Sequence, residues 1–400
     1  MHIPDGFVSA PINIAAAAAS VAVIGYALKR TGEFLDQKKI PLLGVVAAFV
    51  FAVQMLNFPV AAGTSGHFVG AVLAAVLLGP FEAVLVMASV LVLQCLMFAD
   101  GGITALGSNI FNMGMVGALV GYVAFKGLRA VLPGNKSGML AAAAIAAWVS
   151  IVASALSCAV MLGASGRYPL ELAIPAMTGV HALIGIGEGA ITAAALALVT
   201  AARPDLVRAL RRSGGGEGEK PAVAGAWGFA TVGLGVALVL AATLSPFASG
   251  DPDGLKKTAI EESARQIAEA AKAELSRPEV SRITISANPA VAENLEKENG
   301  APRAILAPAG ADALEKIKIE KSDEMEIFAG RIEATDASGA TRVREFEQQG
   351  QVWKHSPIPD YEAGPGKSNF IKAGLAGLIG TLLAFSLAFA VVNMIRGRKR

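Results

Sequence analysis

Apolar stretches recur along the chain at 8–28, 41–58, 67–79, 82–98, 104–125, 137–163, 172–201, 222–243 and 369–395. Most approach the roughly twenty residues that a helix needs to cross a bilayer. Segment 67–79 is too short to cross by itself and is punctuated by Gly66, Gly70 and Pro80, which predicts a broken or partly buried helix. Between the last two apolar stretches lies a polar region, 246–367. Within it, Lys257–Leu275 has the periodicity of an amphipathic helix, and Val280–Ser286 and Arg303–Leu306 read as short strands. The pattern fits a small α+β module and a partly disordered insert equally well. The predicted fold class is therefore an all-α polytopic membrane protein: about seven spans, then a two-span unit carrying an extracytoplasmic insert.

Composition agrees. Hydrophobic residues make up 54% of the 400, charged residues 16%, and mean hydropathy is +0.55, where a soluble domain carries about 25% charged residues. Basic residues set the orientation: Lys29, Arg30, Lys38 and Lys39 follow the first span, Lys126, Arg129 and Lys136 the fifth, and Arg203, Arg208, Arg211 and Arg212 the seventh, while the alternate loops carry little beyond Arg167. By the positive-inside rule the N-terminus is outside, and the tail Arg396, Arg398, Lys399, Arg400 is inside. Residues 213–221, rich in glycine and charge, read as a flexible cytoplasmic linker. The linker divides the chain into a membrane domain 1–212 and a second unit 222–400, made of a span 222–243, the outer region 246–367, a span 369–395 and the basic tail. The first apolar stretch lacks a basic flank and a cleavage site, so no removable signal peptide is expected. Cys95 and Cys158 lie in apolar runs and predict no disulfide framework, and a net charge of +2 predicts no nucleic-acid role.

The chain opens Met1-His2-Ile3-Pro4-Asp5-Gly6-Phe7. The Met1 amine, the His2 backbone nitrogen and the His2 imidazole can close five- and six-membered chelate rings around one ion. A fourth nitrogen would complete the tetragonal donor set favoured by Ni(II) or Cu(II) and accepted by Co(II). The bulky second residue favours retention of Met1. His67, in Gly63-Thr64-Ser65-Gly66-His67, falls on the same predicted face and is the fourth-ligand candidate. Thr64 and Ser65 are candidates for hydrogen bonds that fix its tautomer. His181 and Glu188 share one face of the seventh span, about 10 Å apart along a helix. Ionisable groups at that depth suggest function. A hydrogen-bonded seam against Gln54, Asn57, Asn109 or Asn112 is favoured over a proton relay. His355, beside Trp353, reads as a surface residue. Gly366-Lys367-Ser368 lacks the upstream glycine of a phosphate-binding loop, and Gly185–Gly189 lacks the strand of a dinucleotide turn. With no paired nucleophile and base and no ATPase motif, the chain reads as a non-enzyme that binds no nucleotide, so active transport would draw its energy from other subunits.

Met1–Phe7, with Phe51–Val60, Gly63–His67 and Gly102–Gly114, resemble the substrate-capture (M) subunit of cobalt/nickel energy-coupling factor transporters over about residues 1–210. The second unit is similar to the accessory N subunit through Ser245-Pro246-Phe247, Pro252-Asp253-Gly254-Leu255 and Ser356-Pro357-Ile358-Pro359-Asp360-Tyr361. Lys256 stands where that motif continues with Glu, and residues about 260–350 are additional to it. The resemblance implies that Met1, His2 and His67 hold the ion. It implies a transmembrane coupling (T) subunit and cytoplasmic ATP-binding (A) subunits as partners in a prokaryotic cytoplasmic membrane. It also implies that the alanine row Ala15–Ala19 permits close approach of the coupling protein or of another helix. Capture would displace protons from groups whose ordinary pKa values are about 8 and about 6.5. Nickel is favoured by analogy, although the residues themselves fit cobalt too. Two rivals stand beside this reading: a proton-coupled secondary metal carrier using His181 and Glu188, and a membrane-bound metal sensor.

Overall fold

Long runs of Ala, Val, Leu and Gly satisfy their own backbone hydrogen bonds as helices when water is excluded, and among the described residues the structure is helical over most of those runs. The computed structural model describes residues 1–34, 40–61, 64–166, 168–203, 226–248, 253–297, 317–322, 329–346, 352–353, 355–361 and 370–397. The linker 213–221, the basic residues Lys38, Lys39, Arg167, Arg208, Arg211, Arg212, Arg398, Lys399 and Arg400, the strand predicted at 303–306 and the 366–368 segment lie outside them.

By internal contacts the chain forms two compact units, residues 1–254 with 351–400, and residues 255–350. In the first, α1 (Ala10–Phe34), α2 (Ile40–Gln54), α3 (Ala71–Leu77) and α4 (Pro80–Phe98) are followed by α5 (Leu106–Asn109), which runs through a π-helical turn Ile110–Val116 into α6 (Gly117–Val131). Then come α7 (Lys136–Ala164), α8 (Leu170–Ala202), α9 (Ala226–Leu244) and, after the second unit, the final helix Phe370–Gly397. Among the described residues, six helices are long and apolar enough to cross a membrane, and α2 and α9 are shorter apolar helices. This is a multi-pass membrane protein.

The stretch 67–79 holds the seven-residue α3, about 10 Å long and buried at every residue, as the short, glycine-punctuated helix of the sequence reading. One sequence expectation changes. The predicted span 41–58 ends at Gln54, and Phe58–Ala61 (β1) turns back antiparallel onto Thr64–Gly66 (β2). The hairpin brings His67 to the start of the segment leading into α3. Residues 226–244 and 370–397 pack on α2 through Ala48, Ala52, Ala237 and Ala241, flanked by Phe49 and Phe385. Small side chains there permit the close helix contacts that bundles in lipid rely on.

The second unit is α+β, the first of the two alternatives the sequence left open. Helix α10 (Gly254–Leu275) and helix α11 (Pro289–Lys297) cover a sheet of β3 (Val280–Ala287), β4 (Ile317–Lys321), β5 (Gly330–Asp336) and β6 (Thr341–Phe346), in the order β4-β3-β5-β6. Strands β3 and β4 are parallel, a pairing that needs a crossover, and α11 lies within that connection. Alternation in β3 and β5 sends Ile283, Ile285 and Ile332 inward against Ile260, Ile267, Val291 and Leu295. The final helix, Phe370–Gly397, is α12.

Candidate functional site

The first seven residues are locked into the helical unit by polar groups from α5 and from two loops. Asn109 clasps Ile3 on both sides, accepting from its N–H at 2.8 Å and donating to its carbonyl at 3.1 Å, and the Gly102 N–H donates to the same carbonyl. Asp5 accepts from the Thr104 N–H and hydroxyl and from the Val352 N–H. Phe7 is buried against Tyr168. A side chain at Gly102 would collide with Asp5, so only glycine lets this backbone approach so closely.

The locked segment delivers Met1 and His2 to His67. The Met1 amine lies 3.2 Å from His67 Nε2, and the His2 and His67 rings are 5.1 Å apart, centroid to centroid. All three residues are buried. His67 Nδ1 is 3.0 Å from the Phe68 carbonyl. A carbonyl only accepts, so Nδ1 carries the proton and Nε2 keeps its lone pair toward the amine. Thr64 and Ser65, the residues to which the sequence reading pointed for an orienting role, lie in the buried strand β2 just before His67. His67 stands outside the membrane-spanning helices, and its pKa is lowered to about 3, first by burial and then by the N-terminal ammonium and His2. Burial therefore favours the neutral imidazole.

Among the described residues no group of three or more His, Cys, Asp or Glu side chains could hold an ion. A cavity of about 10 Å³ opens beside the amine, lined by Met1, His67, Val69, Ile151, His181 and Asp253. That is room for about one water-sized sphere. The Met1 ammonium donates to Asp253 Oδ2 at 2.8 Å, and His2 Nε2 lies 3.7 Å from Asp100 Oδ2.

His181 and Glu188 are both buried on α8, but they form no seam with the four residues expected. Gln54 pairs with Gln94 and the Val69 carbonyl, Asn109 holds Ile3, and Asn112 meets Ser157 and Met161. Glu188 instead accepts from the N–H groups of Val69 and Gly70, at 2.7 and 2.8 Å. That pair of hydrogen bonds ties the backbone just after His67, where Gly70 takes a left-handed φ of 79°, to α8. His181 lines the cavity, its Nδ1 donating to the Met177 carbonyl one turn back at 2.7 Å. Glycine-rich spacing could have pointed to the backbone role of Glu188; nothing local pointed to His181 as a neighbour of Met1. His355 is exposed.

Comparison with known proteins identifies the family. The cobalt uptake substrate-specific transmembrane region family matches residues 2–206, and the PDGLE domain matches residues 227–285. A putative fused nickel transport protein of Archaeoglobus fulgidus is 46% identical over 209 residues, covering 52% of this chain and 68% of that protein. A cobalt transport protein of Geobacter sulfurreducens is 33% identical over 214 residues, covering 52% of this chain and 61% of that one. The crystal structure of a truncated transition metal transporter is 34% identical, covers 50% of this chain and 99% of its own, and superposes with a TM-score of 0.46. The chain belongs to the substrate-capture family of cobalt and nickel transport proteins, fused here to an accessory module of the PDGLE type.

Proposed function

We propose that the chain captures Ni(II) or Co(II) as the substrate-binding component of an ATP-driven uptake transporter, with Met1, His2 and His67 as ligands. The observation that carries this reading is the burial of a chain-terminal amine 3.2 Å from a histidine nitrogen whose tautomer leaves its lone pair on the amine's side. In the bound state the Met1 amine, the His2 amide nitrogen, His2 Nδ1 and His67 Nε2 form a four-nitrogen plane. His2 Nδ1 is the ring nitrogen that closes a six-membered chelate with its own amide. The amine and the amide must each lose a proton, so affinity rises with pH. Four nitrogens with one amide anion suit Ni(II) at least as well as Co(II).

In this reading the N-terminus faces outward and the metal domain comprises residues 1–212. A cytoplasmic linker follows at 213–221, and the accessory unit 222–400 places its 246–367 region on the outer side. Release toward the cytoplasm requires a transmembrane coupling subunit and cytoplasmic ATP-binding subunits in the cytoplasmic membrane, and this chain binds no nucleotide. Helix α1 offers a face for such a partner: Ile14, Val21 and Tyr26 are exposed along it, as are Ala15 and Ala18. The test is titration of the purified chain with each ion, followed by absorption. A yellow, diamagnetic nickel complex that is absent in His67→Ala supports the site, and a paramagnetic complex refutes it.

A further inference from the structure

Each end of the proposed chelate meets a carboxylate, and each carboxylate depends on the accessory module. At one end, Asp253, from the Pro-Asp-Gly-Leu motif, accepts from the Met1 amine at 2.8 Å and is 15% exposed. At the other, Asp100 lies 3.7 Å from His2 Nε2 and accepts the Tyr361 hydroxyl at 2.6 Å on the same oxygen. Tyr361 ends the Ser-Pro-Ile-Pro-Asp-Tyr motif, and its ring stacks on Phe98 at 4.7 Å.

The segment carrying Tyr361 is stitched to the loop carrying Asp100. Trp353 Nε1 donates to the Leu96 carbonyl, and the Ser356 hydroxyl and the Ile358 N–H both donate to the Met97 carbonyl. Among the described residues, the non-glycine positions in the left-handed region are Ala99 (φ 57°), Asp360 (φ 52°) and Tyr361 (φ 60°). All three flank the Asp100–Tyr361 hydrogen bond. Strain of this kind persists where surrounding contacts fix a side chain in a working position.

We propose that Asp253 and Asp100 are positioning residues of the metal site, Asp253 anchoring the Met1 amine and Asp100, itself held by Tyr361, orienting the His2 imidazole. The inference rests on the four-nitrogen reading above. When His2 Nδ1 takes the metal, the ring proton resides on Nε2, which faces Asp100; a carboxylate behind a ligating histidine fixes ring orientation and strengthens the donor. At the amine, the carboxylate holds the chain end in the cavity before the ion arrives and supplies negative charge beside a cationic complex afterwards.

The experiment is nickel titration of the full purified chain by calorimetry and absorption for Asp253→Asn, Asp253→Glu, Asp100→Asn, Tyr361→Phe and His67→Ala. Loss of an outer-shell partner costs on the order of 10–100-fold in metal affinity, and both Asn variants are expected in that range, with Asp253→Glu recovering part of the loss. Tyr361→Phe keeps the stacked ring and removes only the hydroxyl. It and Asp100→Asn should weaken binding and shift the ligand-field band of the saturated complex, which a purely structural defect would not do. Unchanged affinity in both Asn variants, or an unshifted band in Tyr361→Phe and Asp100→Asn, overturns the proposal. If His67→Ala also binds like the unaltered protein, the four-nitrogen site itself is what has failed.

Discussion

Extending the chain by several residues before Met1 tests the site without changing any side chain. A single added residue is the wrong perturbation: it makes His2 third in the chain and creates a new amine, two-amide, imidazole chelate. A longer extension converts the Met1 amine into an amide. It removes a charge-assisted hydrogen bond to Asp253 of 2.8 Å, worth about 1.5–3 kcal/mol, or roughly ten- to a hundredfold in affinity. It also removes one of the four nitrogen donors, and the added backbone cannot enter a cavity of about 10 Å³. Together these should bring nickel binding below detection by calorimetry and abolish the four-nitrogen absorption band. Cleaving the extension to regenerate Met1 should restore both. If the extended protein binds nickel with the affinity and spectrum of the native one, the amine is no ligand and the reasoning from its burial is wrong.

Other outcomes follow from the same geometry. His67→Ala should abolish tight binding, His355→Ala should leave it intact, and His181→Ala, which widens the cavity, should weaken it while preserving the four-nitrogen spectrum; loss of that spectrum in His181→Ala would make His181 a ligand. Glu188→Gln turns one acceptor into a donor facing a buried N–H of the Val69–Gly70 pair. It should cost about 1–3 kcal/mol, seen as a lowered thermal midpoint in detergent together with weaker nickel binding, and an unchanged midpoint would contradict the clamp. Because burial lowers the His67 pKa from 6.5 to about 3, the unfolded chain binds the extra proton between those values. The metal-free protein should therefore lose stability as pH falls from 6.5 toward 3, more steeply than His67→Ala does. Equal slopes in the two proteins would argue against a buried neutral imidazole. In cells, metal uptake should vanish when coupling and ATPase subunits are deleted, and undiminished uptake would favour a secondary carrier.

The membrane helices were legible in the sequence because each is set by local composition: a run of about twenty apolar residues has one low-energy form in a bilayer. The amphipathic helix at 257–275 and the strand at 280–286 were legible for the same local reason, through their periods. The chelating potential of Met1 and His2 is likewise a property of adjacent atoms. What the sequence missed depends on contacts between distant segments. The hairpin before His67 pairs Phe58–Ala61 with Thr64–Gly66, a register that no local pattern announced. Asp253 stands more than two hundred residues from Met1, and Tyr361 a similar distance from Asp100. Glu188 meets backbone N–H groups, which every residue carries and no pattern of side chains reveals. Hydropathy reports how far a segment prefers to be from water; which polar group it finds once there is decided only when the helices assemble.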